Sequence, residues 1–170
     1  MEKPTKYKTY GKRRSLRLQE FDYSRPFIYH AIVGTKGREA IFETLEAVRI
    51  AINCLIDQAS ALNYEVFAFC FMPDHLHLLC QPGEGAPSLD VFIGRFKSLS
   101  TRSLAQAGFG WKIWQRGFYD HILRKEEDLW ALARYIADNP VRKGLVEDYK
   151  EYPFSFIRGI KSCPIASLDL

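Results

Sequence analysis

A chain of 170 residues with 47% hydrophobic and 14% aromatic content can bury a sizeable core, most simply as one domain, and falls outside the disordered class. The four cysteines (Cys54, Cys70, Cys80 and Cys163) show no Cys-x-x-Cys spacing, and no segment has the character of a signal peptide or membrane span. The sequence therefore predicts free thiols in a reducing cytoplasm and no membrane partner. The formal charge of +4 is uneven, because residues 1–18 carry seven lysines and arginines against Glu2 alone, a net +6, leaving −2 for the rest.

In chain order, residues 1–24 form a basic N-terminal arm in which Lys12, Arg13, Arg14 and Arg17 are candidate phosphate contacts interleaved with aromatic Tyr7 and Tyr10. A solvated tail is the plainer reading of the same charge. Phe27 to Val33 reads as a first strand, closed by turn residues Gly34 to Gly37. His30 lies within it, and a lone histidine in an apolar strand is more often packed and hydrogen-bonded than a ligand. From Glu39 to about Ala61, apolar residues at Ile41, Leu45, Val48, Ile52, Leu55 and Ile56 recur at helical spacing.

The apolar run from Val66 to Gln81 breaks at Pro73-Asp74, predicting two strands joined by a tight turn. Ser88 is a plausible N-cap for a helix running to about Gln106, with Leu89, Phe92, Ile93, Phe96 and Leu99 inward and Arg95, Lys97 and Arg102 outward. After the segment Trp111 to Trp114, a fourth strand is expected over Phe118 to Arg124 and a helix from Glu126 to about Asp138. Strand, helix, strand, strand, helix, strand is the order of a ferredoxin-like α+β unit with an antiparallel sheet, here with an added C-terminal helix. We take the domain as residues 25–156 and the remainder, 157–170, as a tail.

Two stretches of this scaffold look like halves of one site. In the second of the paired strands, residues two apart share a face, so His75 and His77 project side by side while Leu76 and Leu78 face the other way. On the last helix, Tyr135 and Asn139 stand one turn apart. Asn139 precedes Pro140 and so reads as the helix terminus. Taken alone, the tyrosine is as well explained as a core residue and Asn-Pro as a helix stop.

The combination is more specific. Met72-Pro-Asp-His-Leu-His-Leu-Leu79, Phe96-Lys-Ser98, Trp114-Gln-Arg-Gly-Phe-Tyr-Asp-His-Ile-Leu-Arg124 and Tyr135-Ile-Ala-Asp-Asn-Pro-Val-Arg142, in that order, resemble the REP-associated tyrosine transposases. These are relatives of the single-tyrosine insertion-sequence transposases within the histidine-hydrophobic-histidine endonuclease superfamily. Arg13-Arg-Ser-Leu-Arg-Leu18 and Asp22-Tyr-Ser24 extend the resemblance over roughly residues 7–156. It implies a ferredoxin-like fold and metal-dependent cleavage of single-stranded DNA beside short repetitive hairpins. It also implies His75 and His77 as metal ligands, Asn139 as a third, and Tyr135 as the nucleophile that becomes joined to a 5′ phosphate. Asp74 replaces an asparagine frequent in the family, a change expected to be tolerable because its side chain should point off the metal-binding face.

The chemistry fits these residue types. A tyrosine, with an ordinary pKa of about 10, needs a strongly activated phosphodiester, and nitrogen ligands with an amide oxygen suit Mg2+ or Mn2+, although zinc also accepts two histidines. Arg95, Lys97, Arg102, Arg116 and Arg124 are further candidate DNA contacts, each equally readable as a solvated charge. His121 is expected to be structural or to act beside the ligands rather than as one, and Tyr119, Tyr149 and Tyr152 lack a neighbouring candidate ligand. The chain is expected to be a monomer or homodimer. The alternative function is a non-catalytic nucleic-acid-binding module on the same fold.

Overall fold

The computed structural model describes residues 26–124 and 127–160. The elements are β1 (Tyr29–Gly34), α1 (Leu45–Ala61), β2 (Tyr64–Met72), β3 (His75–Pro82), α2 (Leu89–Gln106), β4 (Tyr119–Ile122), α3 (Leu129–Ala137), α4 (Asn139–Arg142) and β5 (Ser155–Ile157). All five strands join one antiparallel sheet in the order β4-β1-β3-β2-β5. The first four strands thus have the ferredoxin-like order, and β5 adds a strand that covers the outer edge of β2. No helix among the described residues is long and apolar enough to cross a membrane.

Alternation divides the strands between two cores. Tyr29, Ala31 and Val33 of β1 and Leu76, Leu78 and Cys80 of β3 pack with Val48, Ile52 and Leu55 of α1 and with Phe92, Ile93 and Phe96 of α2. Leu79 faces the other way, into a smaller core with Ala133, Ile136 and Ala137 of α3 and with Tyr149, Tyr152 and Ile157. A register shift between Val66 and Ala68 lets Phe67 and Ala68, neighbours in sequence, both face this second core. The alternation then resumes, so that Cys70 and Met72 share the second face. The face of the sheet opposite α1 and α2 is therefore part core and part open, and the open part holds the site.

Several boundaries differ from the sequence reading. The helix expected from Glu39 begins at Leu45, after two 3-10 turns, because Thr44 supplies the N-cap and accepts from Ala47 N at 3.2 Å. The helix expected from Glu126 begins at Leu129 behind Asp128, which accepts from the backbone N–H of Trp130 and Ala131. Asn139 does not end that helix: Asp138 is the junction, and Pro140 lies in the first turn of α4, where its missing N–H costs nothing. Ser88 does cap α2 by position, although its hydroxyl bonds to the Asp90 carboxylate and not to the backbone.

Candidate active site

The turn between β2 and β3 fixes where the histidines begin. Asp74 O accepts from the backbone N–H and the hydroxyl of Thr35 at 2.9 and 3.0 Å, and Pro73 O accepts from Phe42 N at 3.0 Å. His75 and His77 then point from the central strand to the α3 side, with Nε2 atoms 3.0 Å apart. His77 is buried, at 7% exposure. Asp74 does not point away: its Oδ1 lies 2.5 Å from His75 Nδ1, while Oδ2 lies 3.2 Å from Arg38 Nε. A turn residue is free of the strand alternation that predicted otherwise, and here it orients the first histidine.

His30, on β1, enters the same group. Its Nε2 is 3.1 Å from His77 Nδ1, and the two rings lie end to end with centroids 5.3 Å apart, 26° from coplanar. His121 of β4 is in register with His30, and its Nε2 lies 3.1 Å from both carboxylate oxygens of Glu127. All four histidines of the chain thus line one face across three adjacent strands, with Asp74 beside His75 and Glu127 beside His121.

Burial decides their protonation. It pushes His77 down to about 3, helped by His75, His30 and Arg142, and His30 down to about 4, helped by His121. His75 is also lowered by burial, against the opposing pull of Asp74. Near neutral pH all three carry lone pairs rather than charge. Two nitrogens bonded at right angles to one ion through bonds of about 2.1 Å stand about 3.0 Å apart, so the observed pair fits a divalent ion of the magnesium type. No group of three or more histidine, cysteine, aspartate or glutamate side chains among the described residues has a metal-binding arrangement.

Tyr135 of α3 borders a cleft of about 390 Å³ together with His30, Ile32, His77, Tyr119, His121 and Leu132. It is 37% exposed, and the Arg142 guanidinium lies 4.3 Å from its ring centroid. Asn139 Nδ2 donates to Tyr135 O and Ile136 O, each at 3.1 Å, which commits the amide nitrogen and leaves Oδ1 as the atom able to ligate. Of the rival tyrosines, Tyr149 and Tyr152 are buried, and the Tyr152 hydroxyl donates to Phe71 O at 2.7 Å. Tyr119, contrary to expectation, does stand in the histidine cleft.

The candidate DNA contacts separate. Lys97 donates to Gln115 O at 3.1 Å and to Gly117 O, so it pins the segment before β4. Arg95, Arg102 and Arg116 are exposed, and Arg102 lines a cavity of about 430 Å³ with Trp111 and Trp114. Arg124 is exposed, and its backbone N–H donates to Glu127. Lys12, Arg13, Arg14 and Arg17 lie outside the described residues. Arg142, which the sequence reading passed over, sits seven residues from Tyr135.

The sequence pattern of the family described as "Transposase IS200 like" matches residues 24–139, a span holding His30, His75, His77, Tyr135 and Asn139. A Haemophilus influenzae protein assigned as a REP-associated tyrosine transposase is 36% identical, over 58% of this chain and 62% of its own length. The REP-associated tyrosine transposase of Escherichia coli is 30% identical, over 54% of this chain and 53% of its own. The chain thus spans little more than half the length of these relatives. The solved structure of a REP-associated tyrosine transposase bound to a REP hairpin shares the fold, with a TM-score of 0.69 over 86% of this chain and 82% of that one at 22% identity.

Proposed function

The chain belongs to the IS200-like transposase family, and on that premise we propose that it is a metal-dependent single-stranded DNA endonuclease and strand transferase, active in the cytoplasm on DNA beside repetitive hairpins. The observation that carries this reading is the meeting of the neutral, buried His77 and the partly exposed Tyr135 in one cleft, with Nε2 of His75 3.0 Å from Nε2 of His77. The relative bound to a REP hairpin supports the choice of substrate. His75, His77 and Asn139 Oδ1 would hold Mg2+ or Mn2+, which supplies Lewis-acid activation of a phosphate and offsets charge developing on it.

The residues of the chain then divide the work. Tyr135 presents its hydroxyl to the scissile phosphorus, a Tyr135 O–P bond forms, and the bond from phosphorus to the 3′ oxygen breaks. The proton that Tyr135 gives up is balanced by the one the departing 3′ oxygen gains. Arg142 steadies the ring through a cation–π contact and brings a positive charge close to both Tyr135 and His77. Because one phosphoester replaces another, the bond energy is kept for rejoining the strand to a second 3′ hydroxyl. Each chain offers one such tyrosine, so a full excision requires two chains or two successive events.

The test is incubation with labelled single-stranded hairpin oligonucleotides and Mn2+ or Mg2+, followed by denaturing electrophoresis. Wild type is expected to form a covalent adduct, and Tyr135→Phe to form none while binding DNA within about threefold of wild type, since only a hydroxyl is removed. Tyr119→Phe is expected to keep the adduct. An adduct that survives Tyr135→Phe but not Tyr119→Phe would move the nucleophile to β4, and tight binding with no adduct from any variant would leave a DNA-binding module.

A further inference from the structure

Resting on the metal-dependent reading, we infer that His30 is the residue that lets His77 present a lone pair at Nε2: it accepts the His77 Nδ1 proton, and must equally be able to donate to that atom. Asp74 takes the His75 Nδ1 proton, leaving Nε2 of His75 bare. A neutral His77 has one proton to place between two contacts, Nε2 at 3.0 Å from His75 Nε2 and Nδ1 at 3.1 Å from His30 Nε2. With that proton on Nε2, His77 donates to His75, and His30 must donate to His77. With it on Nδ1, His77 donates to His30, and two bare Nε2 atoms face each other 3.0 Å apart. The second arrangement is repulsive unless a cation lies against both nitrogens, and it is the one a metal requires.

The change between the two arrangements conserves protons. Nε2 of His77 loses one and Nδ1 gains one; Nε2 of His30 gives that one up and its Nδ1 gains another, so both rings stay neutral. Few side chains can serve at this place. The partner of His77 Nδ1 is 7% exposed, and its ring lies end to end with the ring it serves, 26° from coplanar. Lysine and arginine only donate, carboxylates only accept near neutral pH, and an aliphatic residue does neither. A neutral imidazole does both, and so does a carboxamide that turns over. His30 is thus a positioning residue, acting through His77 and not touching the reacting atoms.

The experiment uses the full-length protein without DNA and reads Mn2+ affinity by electron paramagnetic resonance, with thermal melting as the control for folding. His30→Leu is expected to weaken Mn2+ binding about 10- to 100-fold, and His30→Gln to stay within about threefold of wild type. In histidine-labelled wild type, long-range proton–nitrogen spectra are expected to show His77 protonated at Nε2 in chelator and at Nδ1 in saturating Mg2+, with His30 moving from Nε2–H to Nδ1–H in step. Wild-type affinity in a folded His30→Leu, or a His77 tautomer indifferent to Mg2+, overturns the inference while leaving the metal site standing. Failure of wild type itself to bind Mn2+ removes both. Should His30→Leu not fold, the wild-type spectra and His30→Gln decide the matter.

Discussion

Among single residues, the buried histidines set how the protein meets acid. In an unfolded chain a histidine titrates near 6.5, whereas burial holds His30 at about 4 and His77 at about 3. As the pH falls below about 6.5 the unfolded chain takes up protons first, so the stability lent by neutral histidines is whole above that pH and is lost progressively down to the folded values. His30 alone corresponds to a loss on the order of 3 kcal/mol by pH 4. Urea unfolding in chelator is expected to show a midpoint that drops steadily from pH 7 to pH 4.5, with a shallower drop in His30→Gln. A midpoint flat over that range would mean the imidazoles are hydrated in the folded chain. The same residue scale holds a simpler case: Tyr152→Phe removes the donor to Phe71 O in the second core, and is expected to cost about 1–2 kcal/mol with adduct formation unchanged.

At the scale of elements, α3 is the one on which the chemistry depends and the one least able to stand alone. It has nine residues, below the length at which an isolated helix holds in water, so its cap and its packing on β2 keep Tyr135 in place. Asp128→Ala removes the acceptor for two N-terminal N–H groups, and is expected to cost about 1 kcal/mol in chemical denaturation, with the adduct rate lowered only as far as the folded fraction falls. Much of this architecture was legible beforehand, because a continuous apolar, aromatic run broken only at the Pro73-Asp74 turn carries a strong local signal for β2 and β3. The three-residue β5 carries no such signal, and it exists through pairing with Ala68 to Cys70. The role of His30 was hidden for a related reason: it stands 47 residues from His77 and meets it only through the β1–β3 register. Arg142 was hidden by a change of element. It lies on α4, past the Asp138 junction, and helical spacing along α3 does not reveal a contact made across that junction.

For the whole molecule, the described cations are concentrated in one stretch of the chain. From Val91 to Tyr119 there are five lysines and arginines and no aspartate or glutamate, a span covering α2 after Asp90 and the segment leading to β4. Lys97 is committed to two backbone carbonyls, which leaves Arg95, Arg102, Lys112 and Arg116 as the exposed cations of this surface, with Trp111 beside them at 70% exposure. Cations and an exposed indole contribute to DNA affinity by different physics. Phosphate contacts release condensed counterions, so each makes affinity salt-dependent, whereas base stacking on an aromatic face barely senses salt. Replacing Arg95, Arg102 or Arg116 by alanine is therefore expected to weaken hairpin binding across sequences and to reduce the slope of log K against log salt by about 0.7–0.9 for each phosphate that is no longer neutralised. Trp111→Ala is expected to weaken binding by about 1–3 kcal/mol while leaving the slope as it was. Titrations from about 50 to 300 mM salt, followed by fluorescence anisotropy, separate the two. Unchanged slopes in all three arginine variants would place the DNA backbone elsewhere, and a slope change in Trp111→Ala would mean that the indole orders neighbouring cations instead of stacking on a base.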